Sequence, residues 1–456
     1  MRDIEAVKIE GLFGYIRHDV KFSKPEPVTI ISGPNGIGKT HFLRLLHAVI
    51  KLDLHTLSSV DFRLIEVRYA GKWILKVRQM RNPGGRVVFR FSGKKPRIRS
   101  YQHLDIAYDN TGDEGSDSPD WMVRLPDGNL FDTRLERVMS VEQVKRYGLP
   151  TAPSTIEYTR DTWLEEFYKG ATSILIDTQR LDNVLNYPSP ARIQRSSHGR
   201  SGAAAKRIHL YIDQVAAQLS DARRKSLNES LEADQTFASR VLQRTESTIN
   251  AKDLRERYQR IADQHAELHA SGLSVRPVDV RFPKEEADET ERRILNVFLD
   301  DWERKLKPLL PIHGKLKSLR RIVESKFVGK EMYLNDKGRI RFRSKFSGKP
   351  VGVQSLSSGE QHLLAVFTML LFSAEKGALV LIDEPEISMH AAWKHSFIED
   401  ITEVARISEL QIVLATHSSA IIKGRWDLVQ EIEAPEIEDT SLLGISEVDE
   451  ELEGDE

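Results

Sequence analysis

Gly33-Pro34-Asn35-Gly36-Ile37-Gly38-Lys39-Thr40 is the stretch on which the fold turns. It fits G-x-x-x-x-G-K-[ST], the phosphate-binding loop. Val28-Thr29-Ile30-Ile31 before it reads as a buried strand, and residues 41–50 after it read as a helix. The three glycines let the backbone turn sharply and aim its N–H groups inward, at the positive end of that helix. In such a loop Lys39 reaches the β- and γ-phosphates and Thr40 holds Mg²⁺. Asn35, Gly36, Gly38 and His41 are expected to complete the nucleotide contacts. An ordinary glycine-rich turn is the alternative, and the strand, loop and helix in sequence weigh against it.

The whole chain bounds the answer only loosely. Its 456 residues fit two or three domains. The formal charge of −1 gives no global pull toward nucleic acid or anionic membrane. There is no cysteine, which excludes disulfides, thiolate zinc sites and cysteine nucleophiles and suits a reducing cytoplasm. The first residues are charged and lack the apolar core of a signal peptide. The most apolar run, Leu363 to Phe372, is too short to span a bilayer.

Three further stretches can meet a bound triphosphate. Ala378-Leu379-Val380-Leu381-Ile382 ends in Asp383-Glu384. A buried strand ending in paired acids needs a charge to meet. Here Asp383 would hold the Mg²⁺ and Glu384 would polarise the attacking water. Gln411-Ile412-Val413-Leu414-Ala415 leads into Thr416-His417-Ser418-Ser419, which in a parallel sheet lies beside the phosphates. Gln354-Ser355-Leu356-Ser357-Ser358-Gly359-Glu360 opens a helix, and its serines and glycine suit either an anion or ordinary capping.

The rest of the chain frames these motifs. Phe13 and Tyr15 lie between two short strands, where packing at a sheet edge is expected before base stacking. Residues 60–100 alternate as antiparallel strands whose polar positions are mostly basic, with only Asp61 and Glu66 opposing them. That face reads either as a solvated sheet or as a surface for phosphate backbone or an acidic partner. Residues 109–120 form an acidic Gly/Ser-rich loop, expected to be mobile. Residues 186–202 are a Pro/Ser/Arg linker. A helical pattern follows to about residue 270, carried by Ile208, Ile212, Val215, Leu219 and Ala222, then Leu227, Leu231, Phe237 and Val241. Its heptads are not sustained, so a helical arm or bundle is expected and not a long coiled coil. A second helical segment, from Glu291 to Phe327, is interrupted by Pro308 and Pro311. Residues 333–343 read as a hairpin. The tail from Glu431 to Glu456 holds twelve acidic residues and no Lys or Arg, and disorder is expected there.

Together, Gly33–Thr40, Leu356–Glu360, Asp383–Glu384 and Thr416-His417-Ser418 resemble, in order and setting, the motifs of ABC-type ATPases. Asp383-Glu384-Pro385-Glu386-Ile387-Ser388-Met389-His390 is similar to the run found in the RecF/SMC/OLD group. This resemblance covers residues 1–60 and 350–425. It implies an α/β ABC-type P-loop ATPase head with an antiparallel β subdomain and a helical insertion. The expected parts are an N-terminal lobe over 1–181, the insertion over 182–330, a C-terminal lobe over 331–430 and the tail over 431–456. It implies ATP and Mg²⁺ as cofactors, with Ser357 and Gly359 as a signature loop that closes on the ATP of another subunit. It makes His417 the switch histidine, and Gln179 the glutamine that completes the Mg²⁺ shell, with Gln79 as a weaker candidate. Ser358, Glu360 and His390 depart from the transporter pattern and argue against a transporter subunit.

Ile176-Asp177-Thr178-Gln179-Arg180-Leu181 and Gly424-Arg425-Trp426-Asp427-Leu428-Val429 add a narrower resemblance, to stand-alone ATPase subunits of anti-phage systems of the PARIS (AriA-like) or Septu (PtuA-like) kind. That implies a cytoplasmic regulatory ATPase forming a homodimer or a higher oligomer, possible as a hexamer. Its partners would be a TOPRIM-type or HNH effector nuclease and a phage-encoded trigger, with no membrane involved. The sequence after His417 is too short for a TOPRIM fold, which argues against an OLD-like nuclease. A RecF-like DNA-repair or DNA-clamping ATPase, binding DNA through the basic strands, is the alternative.

Overall fold

The structure, a computed structural model, describes residues 2–22, 25–81, 86–98, 100–108, 159–177, 199–243, 250–273, 282 and 288–432, and three short strands between 122 and 139. The acidic loop at 109–120, Gln179 and most of the linker and tail lie outside the described residues.

The chain opens with the antiparallel pair β1 (Ile4–Leu12) and β2 (Ile16–Lys21), followed by β3 (Val28–Ser32) and α1 (Lys39–Lys51). Strands β4 (Leu64–Tyr69), β5 (Trp73–Arg81), β6 (Val87–Lys94) and β7 (Gln102–Tyr108) join the first pair in a six-stranded sheet of order β2-β1-β4-β5-β6-β7. Three short strands pair among themselves, β8 (Met122–Arg124), β9 (Leu130–Asp132) and β10 (Arg137–Met139). Next come β11 (Ser173–Asp177) and four helices: α2 (Gly199–Gln243), α3 (Ala251–Ala270), α4 (Glu289–Leu306) and α5 (Leu310–Lys326). A small meander, β12 (Lys330–Leu334), β13 (Ile340–Ser344) and β14 (Pro350–Val351), precedes α6 (Ser358–Thr368). The chain then runs through β15 (Leu379–Asp383), α7 (Ala391–Ser408), β16 (Gln411–Ala415) and β17 (Val429–Glu431).

The centre is a parallel sheet of order β11-β15-β16-β3-β17. Its strands read as unbroken apolar runs because both faces are covered. Val28, Ile30, Val380, Ile382, Ile412 and Leu414 join one core, with α2, α5, α6 and α7. Ile31, Leu379, Leu381, Val413 and Ala415 join a second core, with α1 and the antiparallel sheet. Alternation along each strand thus splits one hydrophobic run between two cores. The architecture is an α/β head carrying an antiparallel subdomain and a helical insertion.

Two expectations about surfaces change. On the antiparallel sheet several of the cations pair with acids, including acids from other segments. Arg63 reaches Glu10, Arg68 and Lys76 share Glu66, Arg90 grips Asp105 through two bonds, Arg81 meets Asp61 and Lys95 meets Glu166. The acids of β1 and β7 lie outside residues 60–100, and they offset part of the basic charge of this face. On α2 the apolar stripe from Ile208 to Ala222 is buried, but Leu227 and Leu231 are exposed. Beyond Ala222 the insertion is held by Ser226 and Ala233 and by ion pairs: Arg240 with Asp301, and Arg257 with Asp300 and Glu303. The insertion is a bundle, with α2 and α3 both against α4.

Two buried polar contacts fix the frame around the central sheet. Lys326 at the end of α5 pairs with Asp400 of α7, both almost wholly buried, and Arg321 donates to the same carboxylate at 3.0 Å. His18 of β2, 1% exposed, places its Nε2 at 2.9 Å from the Ile37 carbonyl inside the glycine-rich loop. Burial lowers its pKa.

Removing Asp400 strands the Lys326 ammonium. Asp400→Ala is therefore expected to cost about 3–5 kcal/mol, read as a lower urea midpoint. For His18 the folded pKa lies below the unfolded one. Its contribution is intact above the unfolded value and is lost as pH falls toward the folded value. His18→Gln is expected to flatten the fall in melting temperature between about pH 7.5 and about pH 5.5, a window bracketing the ordinary histidine value of roughly 6.5. An unchanged slope in calorimetry would rule this out.

Candidate functional site

The loop at 33–40 follows β3 and ends in the first turn of α1. Gly38, at the N-terminus of α1, has φ +88°, and a Cβ there would lie 2.8 Å from Leu12 Cδ2. Gly33 is confined from the other side, where a Cβ would meet the Ile432 carbonyl oxygen at 2.6 Å. Both positions therefore require glycine. Asn35 and Gly36 are exposed at the crown of the loop, and Thr40 is half-buried behind it.

Lys39 is 5% exposed. Its Nζ donates to the carbonyls of Gly33 (2.7 Å) and Pro34 (2.8 Å), which spans the loop with its own side chain. Burial lowers its pKa, and the carboxylates of Glu384, Asp383 and Glu386 oppose that shift. So Lys39, the loop and the acids at the end of β15 share one electrostatic environment.

The sheet register explains the meeting. Asp177 of β11, Asp383 of β15 and Ala415 of β16 are paired in register, and Ala415 pairs with Ile31 of β3. Four parallel strands thus end level, with the glycine-rich loop, Asp383-Glu384 and Thr416-His417 leaving from the same edge. Asp383 is buried, at 5% exposed. Glu384 takes φ +42° and ψ 56°, a left-handed conformation that costs a non-glycine residue about 1–2 kcal/mol. Its N–H donates to the Ala415 carbonyl at 2.9 Å, which locks the turn to β16. The effect is to swing the Glu384 side chain out of the strand direction just after the buried Asp383.

His417 Nδ1 lies 3.3 Å from Glu386 Oε1 and 3.8 Å from Glu384 Oε1. The ring is half-exposed. Glu386, 6% exposed, also accepts from Thr416 Oγ1 at 2.7 Å and from the His417 N–H at 3.3 Å. Its place in the site was not anticipated. The second acid of Asp383-Glu384-Pro385-Glu386 was the available signal.

Other expected residues sit elsewhere. Ser357 caps α6. Its hydroxyl accepts from the Glu360 N–H (3.3 Å), and Glu360 accepts from the Ser357 N–H (2.8 Å) and from Lys330 Nζ (2.6 Å). Both signature serines are exposed, and Gly359 lies over Trp393 of α7, beside a small apolar pocket reaching Ile382, Pro385 and Met389. Gln79 is taken up by backbone: its Oε1 accepts from the Phe62 N–H (2.9 Å), and its Nε2 faces the carbonyls of Leu57 and Val60. It ties a loop to β5 and is not placed for a metal. Phe13 and Tyr15 do not pack at a sheet edge. They form the exposed β1–β2 turn, and Phe13 stands edge-on to His41 at 4.8 Å. Burial lowers the His41 pKa, with a further push from Arg44.

The donor set fits Mg²⁺ and a nucleoside triphosphate. A lysine bound to loop carbonyls can be drawn to phosphate, the N-terminus of α1 is open to an anion, and a hydroxyl and a carboxylate suit a hard cation. Thr40 and Asp383 would hold the ion. It would supply charge neutralisation at the transferred phosphoryl group.

Two solved structures are among those the chain matches. One is an SMC head bound to the C-winged helix domain of ScpA, with 13% identity over 92% of this chain and 91% of that chain and a TM-score of 0.33. The other is an SMC head domain from Thermotoga maritima, with 11% identity, 94% of each chain covered and a TM-score of 0.31. No curated protein matches the chain. The model of the family described as "AAA domain, putative AbiEii toxin, Type IV TA system" matches residues 187–423, from the linker before the insertion through the signature, the paired acids and the switch histidine. That is just over half of the chain. With its phosphate-binding loop set against those motifs, the chain is a P-loop ATPase and belongs to this AAA-domain family.

Proposed function

We propose that this chain is an ATP-hydrolysing regulatory subunit of a bacterial anti-phage defence system, working in the cytoplasm. In this reading it oligomerises through shared ATP sites, as a dimer or a higher assembly such as a hexamer. It holds an effector nuclease of TOPRIM or HNH type and releases it when a phage-encoded component is sensed.

One observation carries the oligomeric part. Lys39, Asp383, Glu384 and His417 converge at one sheet edge, while Ser357 and Gly359 sit with α7 and present their serines to solvent. A signature turned outward is available to a second copy. The family description, which names a putative toxin of a type IV toxin–antitoxin system, supports the defence part. The RecF-like alternative leans on the basic strands, where several cations are paired with acids of neighbouring segments.

In the hydrolytic step Lys39 would leave the carbonyls of Gly33 and Pro34 for phosphate oxygens. Thr40 and Asp383 would orient the cation, Glu384 would polarise the water, and His417 would face the terminal phosphate. Asn35, Gly36, Gly38 and His41 would line the phosphates and the base side. Gln179, beyond the end of β11, would complete the metal shell.

Lys39→Ala and Glu384→Gln are each expected to lower ATP turnover at least about a hundredfold. Glu384→Gln should retain ATP and shift to a larger assembly in light scattering with Mg²⁺-ATP, whereas Lys39→Ala should not. Wild-type turnover in either variant would overturn the site assignment. Undiminished phage protection by Lys39→Ala, expressed with its effector, would overturn ATP-gated defence.

A further inference from the structure

We infer that Glu386 is the positioning residue for His417, seating the ring and the N–H of the histidine on one carboxylate oxygen and so holding the ring nearer to itself than to Glu384. The inference rests on the reading of Glu384 and His417 given above.

Three groups converge on one oxygen. Glu386 Oε1 accepts from Thr416 Oγ1 at 2.7 Å and from the His417 N–H at 3.3 Å, and His417 Nδ1 lies at 3.3 Å. Thr416 Oγ1 accepts in turn from the Ser418 N–H at 3.0 Å. The whole Thr416-His417-Ser418 turn is therefore wound about a single carboxylate oxygen. The other oxygen, Oε2, is buried with no hydrogen-bond partner among the described residues.

Holding a turn does not need that arrangement. A neutral acceptor would serve Thr416 and the backbone without the cost of a buried charge, which is large when one oxygen goes unsatisfied. The charge is what distinguishes Glu386, and the donor placed to use it is the imidazole. His417 Nδ1 stands between two carboxylates, 3.3 Å from Glu386 Oε1 and 3.8 Å from Glu384 Oε1, and Glu386 also holds the His417 N–H at 3.3 Å, so the ring is seated against Glu386.

The test is a double-mutant cycle on the full chain, read as steady-state ATP hydrolysis with Mg²⁺-ATP and nucleotide affinity by titration. Glu386→Gln keeps an acceptor and removes the charge. It should lower kcat about tenfold with KM within about twofold. In a His417→Ala background the same substitution should change kcat less than about twofold, because Glu386 acts through the ring. A tenfold further loss in that background would overturn the inference, since the carboxylate would then act on its own or through the fold. A wild-type kcat for Glu386→Gln would overturn it as well. Normal hydrolysis by His417→Ala would instead overturn the role of His417, which separates the two failures. Should Glu386→Gln lower the melting temperature sharply, Glu386→Asp carries the same cycle. It keeps the charge but withdraws it by one methylene, and a loss confined to the His417 background is again the expected result.

Discussion

A buried ammonium sets the terms of this molecule. Lys39 is almost wholly shielded, and a charge in that position persists only against opposing charge. Asp383, Glu384 and Glu386 supply it. The four groups come from two strands separated by more than three hundred residues, so the sheet between them must be exact in register. The pairing of β3 with β16 and of β16 with β15 achieves this, and the doubly covered apolar strands make a slip costly. The helical insertion and the antiparallel subdomain lie outside that register and pack on the two faces it leaves.

The local chemistry at the sheet edge was legible because it is carried by short runs. A strand, three glycines and a lysine are contiguous, and so are an apolar strand and two acids. The loop, the paired acids and His417 all leave the same edge of the sheet. The register of the sheet was not readable in the same way. Nothing in Gln411–Ala415 alone says that it inserts between β15 and β3. Charge balance failed for a related reason. The cations of β4 to β6 looked unopposed because Glu10, Asp105 and Glu166 are distant in the chain and adjacent only in the sheet or beside it. Leu227 and Leu231 failed differently. Leu227 lies five residues after Ala222, one position off the buried stripe of α2, which continues through Ser226 and Ala233 while Arg240 of the same helix pairs with Asp301 of α4.

The signature loop shows how one set of residues satisfies two readings. Ser357 and Glu360 form a reciprocal cap, which is sufficient reason for serine and glutamate at those positions. The cap also fixes the N-terminus of α6 and turns Ser357 and Ser358 to solvent. Lys330 of β12 holds the far oxygen of Glu360, so the small meander braces the same turn. Capping and presentation are thus one structure, and the bland reading does not displace the functional one.

Strain at the paired acids is the remaining constraint. A left-handed Glu384 is sustained only because its neighbours over-determine it. Its N–H is committed to Ala415, and Pro385 fixes the next φ and starts a tight turn. That turn brings Glu386 back under β16, where it gathers Thr416 and His417. The same backbone kink therefore does two things at once. It points one glutamate out of the strand toward the open edge, and it buries the other against the strand beside it. Two acids separated by a single proline acquire opposite environments, one partly open and one closed. Unequal burial is a physical basis for unequal roles, and here it falls on a pair of glutamates that share one histidine.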